Sequence, residues 1–147
     1  MEIAVLALGC FWGPEIKFNK LEGVTKTEVG YCGGNSDTTT YEEVCSGSTN
    51  HAEVVKLEFD PKKISYEKIL KYFFEIHDPT TLNLQGPDRG TQYRSEIFYL
   101  NEKQKSIAEK IITDINIKLS GKVVTKISLV KNYCSAEEYH QRYLEKR

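Results

Sequence analysis

Long apolar runs are scarce in this 147-residue sequence. None approaches the roughly 20 residues that a membrane-spanning helix needs. A surplus of either charge is also missing. The 20 basic residues stand against 21 acidic ones, which excludes the broad basic surface of a nucleic-acid binder. The first apolar stretch is short and lacks a basic leader, so it does not read as a signal peptide. The four cysteines, Cys10, Cys32, Cys45 and Cys134, form no Cys-x-x-Cys pair, which argues against structural zinc and against a thioredoxin-type motif. Internal repeats, low-complexity tracts and domain linkers are absent. The expectation is one domain over residues 1–147, cytoplasmic, with its cysteines mostly reduced. That length suffices for a core without metal or disulfide staples.

What is present centres on Gly9-Cys10-Phe11-Trp12-Gly13-Pro14-Glu15. The run Ile3 to Leu8 before it reads as a fully buried strand. Pro14 after it suits the first turn of a helix, where a missing N–H has no helical partner. Cys10 then sits between a strand end and a helix start, where free N–H groups and the helix dipole favour a thiolate. The same placement suits a buried structural cysteine in a tight turn, and this stretch alone leaves both open.

The pattern predicts a short helix over Glu15 to Leu21, closed by Gly23, and a strand over Val24 to Tyr31. A turn follows at Cys32-Gly33-Gly34-Asn35-Ser36-Asp37. Thr40 and Glu43 form a capping box for a helix reaching Cys45. In the strand from Asn50 to Phe59, Glu53 shares a face with Val55, Leu57 and Phe59. A lone carboxylate there is costly, and burial would raise its pKa toward that of a general acid. A strand-end Glu bending out to water is the plain alternative. Ser65 caps a helix with Tyr66, Ile69, Leu70, Phe73 and Phe74 as its apolar stripe. Residues 79–92 show no period, and a loop that long in a compact domain is usually functional. A strand over Arg94 to Leu100 follows. Asn101 then caps a long helix buried through Ile107, Ala108, Ile111, Ile112, Ile115 and Leu119. A strand over Val123 to Val130 precedes a C-terminal helix capped by Ser135 and reaching Leu144. This alternation predicts an α+β two-layer sandwich with a mixed sheet and long functional loops. His51, His77 and His140 lack ligand-like spacing, so no metal site is expected and buried or capping roles suit them better.

Ordered across nearly the whole chain, several segments resemble the A-type peptide methionine sulfoxide reductases. They are the Cys10 stretch, Gly30-Tyr31-Cys32-Gly33-Gly34, Tyr41 to Gly47, His51 to Val55, His77 to Thr80, Gln85-Gly86 with Asp88, Gln92 to Ser95, and Ala136 to Gln141. The resemblance implies a ferredoxin-like core and reduction of the S-epimer of methionine sulfoxide, free or in proteins, with no bound cofactor. It implies that Cys10 is the nucleophile and Glu53 the general acid. Phe11 and Trp12 match residues that hold the substrate methyl, Tyr41 and Tyr93 those that hydrogen-bond near the sulfoxide oxygen, and Asp88 the loop carboxylate. The product on Cys10 is a sulfenic acid, which a thiol must reduce. Some members use selenocysteine where this sequence has Cys10.

Two departures bear on loop order and substrate entry: Leu84 replaces a usual Arg, and Asn50 a usual Gly. The Gly-rich tail that carries a resolving cysteine in many members does not follow Tyr143-Leu144. Cys134, Cys32 and Cys45 are therefore candidates for an internal resolving thiol, and an inert buried role fits each of them. External reduction by thioredoxin, or by glutathione with glutaredoxin, is the alternative partner chemistry. Other functions compatible with the residues are a cysteine peroxidase, a non-catalytic binder of oxidised methionine and a metal-binding regulator.

Overall fold

The computed structural model describes residues 1–146; Arg147, the last residue of the predicted 1–147 unit, lies outside the described residues. The apolar run near the N-terminus becomes strand β1, Glu2–Leu8. It lies between two antiparallel neighbours, and both its faces are covered. Ala4, Leu6 and Leu8 enter the larger apolar cluster, Val5 and Ala7 the smaller one. A strand covered on both sides has no polar face, so its sequence does not alternate.

Helix α1 (Trp12–Asn19) leads to β2 (Val24–Cys32), α2 (Tyr41–Cys45) and β3 (Ala52–Phe59). Helix α3 (Tyr66–Glu75) is followed by a two-residue hairpin, β4 (Leu84–Gln85) with β5 (Asp88–Arg89), and by a 3₁₀ turn at Thr91–Tyr93. Then come β6 (Ser95–Tyr99), α4 (Glu102–Lys118), β7 (Lys126–Leu129) and β8 (Cys134–Ser135). The main sheet has the order β7-β6-β1-β3-β2-β8. Only the β6–β7 pair is parallel, so the sheet is mixed and the fold is α+β, as expected.

The three longer helices gather on one face. Phe18 of α1, Ile69, Leu70 and Phe73 of α3 and Ala108 and Ile111 of α4 join Leu6, Val55, Leu57 and Phe59 in one core. The predicted caps form: Thr40, Ser65 and Asn101 accept from the backbone N–H of Glu43, Lys68 and Gln104. The opposite face buries Val5, Ala7, Cys32, Ala52, Val54 and Phe98 beneath Val130 and Tyr133. An ion pair from Arg94 Nε to Glu96 Oε1, 2.6 Å long, is also buried.

Four expectations change. Helix α1 starts at Trp12 rather than Glu15, with Pro14 still in its first turn. The stretch 79–92 is not structureless, because β4, β5 and the 3₁₀ turn order part of it. The predicted strand over Val123 to Val130 contracts to Lys126–Leu129. Val123 N–H donates to Asn116 Oδ1 and Val124 N–H to Pro79 O, so those donors leave the ladder with β6. The predicted C-terminal helix is replaced by β8 and a 3₁₀ turn at Glu138–His140. Ser135 pairs with Gly30 of β2 instead of capping, and Arg142 takes a left-handed φ of 49°.

Side chains anchor this last segment. The Gln141 amide accepts from Val29 N–H at 2.9 Å and donates to Val29 O at 2.9 Å and Ala136 O at 3.0 Å. It imitates a further strand residue beside β2. Glu15, buried in α1, accepts from Thr27 Oγ1 at 3.0 Å and from Arg142 N–H at 2.6 Å. Gln141→Ala orphans the Val29 N–H, while Val29 O keeps the Ala136 N–H, and a buried polar group left unpaired costs about 1–3 kcal/mol. The expected outcome is a melting temperature lower by roughly 5–10 °C in a thermal denaturation scan. An unchanged melting curve would show that the clasp carries no stability.

Candidate active site

The turn that leaves β1 is set by Gly9, whose φ is +100°. A side chain there would be strained, and its Cβ would stand 2.8 Å from Cβ of Gln85. The turn and the β4 hairpin therefore close on each other, and Cys10 sits where they meet the start of α1. The first N–H groups of a helix have no partner within it. Here Phe11 N–H donates to Glu53 Oε1 at 3.2 Å, and Trp12 N–H points at the Cys10 sulfur.

Strand β3 delivers Glu53 to this point, on the apolar face that the alternation predicts. It is 1% exposed. Its Oε2 has no hydrogen-bond partner among the described residues. Burial pushes its pKa from 4.5 up to about 8, against the pull of Phe11 N–H, and the Asp88 charge adds to the rise. The carboxyl is therefore largely protonated at neutral pH.

Cys10 departs from expectation. Its thiol is pushed up to about 11, chiefly by burial. The Trp12 N–H works in the opposite direction, while the charges of Glu53, Asp88 and Cys45 raise it further. The helix start does favour a thiolate, but desolvation outweighs it. At rest the site pairs a neutral thiol with a neutral acid.

An aromatic wall closes one side. Phe11 is buried against the rings of Tyr31 and His140, with centroids at 5.8 and 5.3 Å. The Trp12 indole N–H donates to His140 Nδ1 at 3.1 Å, and its ring stacks on Tyr143 at 3.9 Å and 11°. Accepting at Nδ1 leaves His140 in the neutral Nε2–H form, and burial depresses its pKa in agreement. The Tyr41 ring packs on His140 at 4.5 Å. Glu137 accepts from Tyr31 Oη at 2.8 Å and from Tyr41 N–H at 2.9 Å, fixing α2 against the wall.

Tyr93, at the end of the 3₁₀ turn, is raised to about 12 by burial and by the charges of Glu53, Cys45, Asp88 and Cys10. Tyr41 is raised by burial, by Cys45 and by Glu53. Cys10, Glu53, Tyr41, Asp88 and Tyr93 are thus near enough to act on one another's titration, with Phe11 and Trp12 following Cys10 in the chain. The other cysteines separate. Cys32 is buried on the opposite sheet face and donates to Lys131 O. Cys134 is half-buried near Thr39 O. Cys45 is exposed rather than buried, and the Tyr41 hydroxyl pulls its pKa down against the rise that desolvation causes. His51 contacts Ser36 O, and His77 lies between Phe73 O and Ser95 Oγ. No group of three or more metal-ligating side chains forms among the described residues. Asn50 takes a φ of 58°, a conformation Asn tolerates better than most residues.

Sequence reading left Glu137 and His140 without site roles. Their signals are the polar string Glu137-Glu138-Tyr139-His140-Gln141 and its place among the segments that carry the resemblance. Nothing local in it predicts partners on α1, β2 and α2, about 100 residues away in the chain.

A family model for peptide methionine sulfoxide reductase matches residues 2–147. The peptide methionine sulfoxide reductase MsrA of Pelagibacter ubique is 80% identical over 147 residues, covering all of both chains. Among solved structures, reduced Mxr1 from Saccharomyces cerevisiae superposes with a TM-score of 0.93 at 41% identity, covering 99% of this chain and 85% of that one. Mxr1 in complex with Trx2 gives a TM-score of 0.68 at 29% identity, covering 97% and 84%.

The position of Glu53 has a measurable consequence. A carboxyl whose folded pKa stands above its unfolded value holds its proton more tightly in the native state. Stability then falls as pH rises from about 4.5 through about 8, and the penalty is complete above the folded value. Glu53→Gln removes this component. Denaturant unfolding of both proteins across that window should show the wild type losing stability relative to the variant as pH rises. Parallel curves would refute the buried, proton-holding carboxyl.

Proposed function

The chain belongs to the peptide methionine sulfoxide reductase family and reduces methionine sulfoxide to methionine; we propose that it acts on the S-epimer, free or in proteins, through a sulfenic acid on Cys10. The observation that carries this reading is the Glu53 carboxyl. One oxygen is bound to Phe11 N–H and the other is unpartnered, in a dry site next to the Cys10 sulfur. A sulfoxide oxygen needs a proton as its S–O bond breaks, and a buried acid with a pKa near 8 can supply one at neutral pH.

In this reading Phe11 and Trp12 receive the substrate methyl, and His140 and Tyr143 position the indole. Cys10 attacks the sulfoxide sulfur. Glu53 gives its proton to the oxygen and recovers one from the Cys10 thiol. The Tyr41 and Tyr93 hydroxyls, kept protonated by burial, donate to the developing oxyanion. Asp88 borders the same site. The protonated oxygen leaves the substrate sulfur as water. Water then attacks the Cys10 sulfur, and the bond between the two sulfurs breaks to release methionine and leave a sulfenic acid on Cys10. The substrate sulfur is thus reduced by two electrons and Cys10 is oxidised by two. An external thiol, thioredoxin or glutathione with glutaredoxin, restores Cys10. The complex of the similar Mxr1 with Trx2 supports the thioredoxin route.

We read the chain as one domain with a ferredoxin-like core, supported by the inner strand order β6-β1-β3-β2 and the helices gathered on one face. Four free cysteines fit a reducing compartment, the cytoplasm. A peroxidase has no need of the aromatic wall, and a mere binder has no need of a proton donor beside a thiol.

The test is incubation with each sulfoxide epimer and dithiothreitol, followed by measurement of methionine. Turnover of the S-epimer alone is expected, with none from Cys10→Ser. Glu53→Gln should lose roughly a hundred- to ten-thousand-fold in rate, and the wild-type rate should fall above pH 8 as Glu53 ionises. Turnover of the R-epimer, or turnover by Cys10→Ser, would overturn the reading.

A further inference from the structure

We propose that Cys45 is the resolving thiol: it attacks the sulfenic acid on Cys10 and closes a Cys10–Cys45 disulfide, which an external dithiol then reduces. The inference rests on the reading of Cys10 as nucleophile and extends it to recycling. The step balances. The Cys45 sulfur bonds to the Cys10 sulfur, the S–O bond of the sulfenic acid breaks, and the hydroxyl leaves as water with the Cys45 proton. A two-electron dithiol returns both thiols.

Position separates the three other cysteines. Cys32 is fully buried among Val5, Ala7, Ala52, Val54 and Phe98, on the sheet face away from the helices. The Phe11–Glu53 bond holds the Cys10 turn on the helix-bearing side, so the sheet stands between these two sulfurs. Cys134 lies across from Tyr31 in the β2–β8 ladder, with its sulfur 3.8 Å from Thr39 O. Tyr31 packs on Phe11 and bonds to Glu137, so the Tyr31 ring, not the Cys134 sulfur, is what this strand pair sets against Phe11.

Cys45 has neither barrier. It ends α2, and it lies one helical turn after Tyr41, on the same face. The Tyr41 hydroxyl is near enough to its sulfur to pull its pKa down, against burial. The Tyr41 ring rests on His140, which holds Trp12. Cys45 therefore stands at the rim of the same site as Cys10, and its charge is among the three that act on the Cys10 sulfur. Its exposure leaves it open to an external dithiol, which attacks the accessible sulfur of a disulfide. Helix α2 has five residues and is held at its first turn, by Glu137 on Tyr41 N–H and by the Thr40 cap, while Cys45 lies at its opposite, exposed end.

The experiment uses the full chain, reduced and freed of thiol, and treats it with one equivalent of methionine-S-sulfoxide. Methionine is measured, free thiols are counted after denaturation, and the cysteine peptides are mapped by mass spectrometry. The expected result is a fall from four thiols to two, with the peptide of Cys10 linked to that of Cys45. Cys134→Ser should keep the same linkage. Cys45→Ser should lose one thiol only, leaving a Cys10 sulfenic acid that dimedone captures. A parallel arm oxidises the protein with one equivalent of hydrogen peroxide, which makes the sulfenic acid without any sulfoxide. Absence of methionine in the first arm counts against the reading of the site, while the second arm still decides Cys45. A wild type that loses one thiol, a Cys45→Ser variant that loses two, or a linkage of Cys10 to Cys134 or Cys32 overturns the assignment.

Discussion

The site depends on a single contact, the hydrogen bond from Phe11 N–H to a buried Glu53 carboxyl. A helix start offers N–H groups without partners, and a carboxyl on an apolar strand face has almost nowhere else to turn. Each answers the other's deficit, but incompletely. One Glu53 oxygen stays without a partner among the described residues, and desolvation holds the group near a pKa of about 8. The contact also joins β3 to the turn after β1, which brings a proton donor next to the Cys10 sulfur. In an α+β core built for burial, this is a place where a polar group is kept dry and only partly satisfied. Such places tend to be functional.

Residues 136–146 complete the site from the outside. They form no α-helix, yet side chains bind them firmly. Gln141 extends the edge of β2, Glu15 holds Arg142 N–H, and Glu137 ties Tyr31 to the start of α2. His140 and Tyr143 then hold the Trp12 indole by one hydrogen bond and one stacked face. The wall beside Cys10 is thus built by residues from both ends of the chain. A mobile tail could not keep an indole in a fixed orientation, so these polar clasps are what hold the aromatic surface in place.

Where apolar periodicity was strong, local reading and structure agree. Strand β1, the stripe of α3, and the caps at Thr40, Ser65 and Asn101 fall where the pattern puts them. Of the predicted α4 stripe, only Ala108 and Ile111 are buried, Ile107, Ile112 and Ile115 are partly buried, and Leu119 lies beyond the helix end. Disagreement appears where backbone groups found distant partners. Val123 and Val124 donate to Asn116 and Pro79 rather than to β6, which shortens β7. Ser135 carries a good capping signature, yet its backbone pairs with Gly30. A cap and a ladder position are both satisfactory for a serine, and only the nearness of the β2 edge decides between them.

The sequence by itself determined the family, the α+β class and the pairing of a cysteine at a helix start with a glutamate on an apolar strand face. These follow from ordered motifs and from periods of 2 and 3.6 residues, which are local properties. The tertiary structure decided the rest. It made Cys10 a neutral thiol rather than a thiolate, because burial depends on what packs around a group and outweighs the helix start. It sorted three cysteines that looked alike into a buried one on the far face of the sheet, a half-buried one paired across from Tyr31 and an exposed one at the end of α2. It also gave Trp12 its acceptor in His140, 128 positions away in the chain. Desolvation, fields and long-range hydrogen bonds are sums over neighbours in space, and the order of residues along a chain does not contain them.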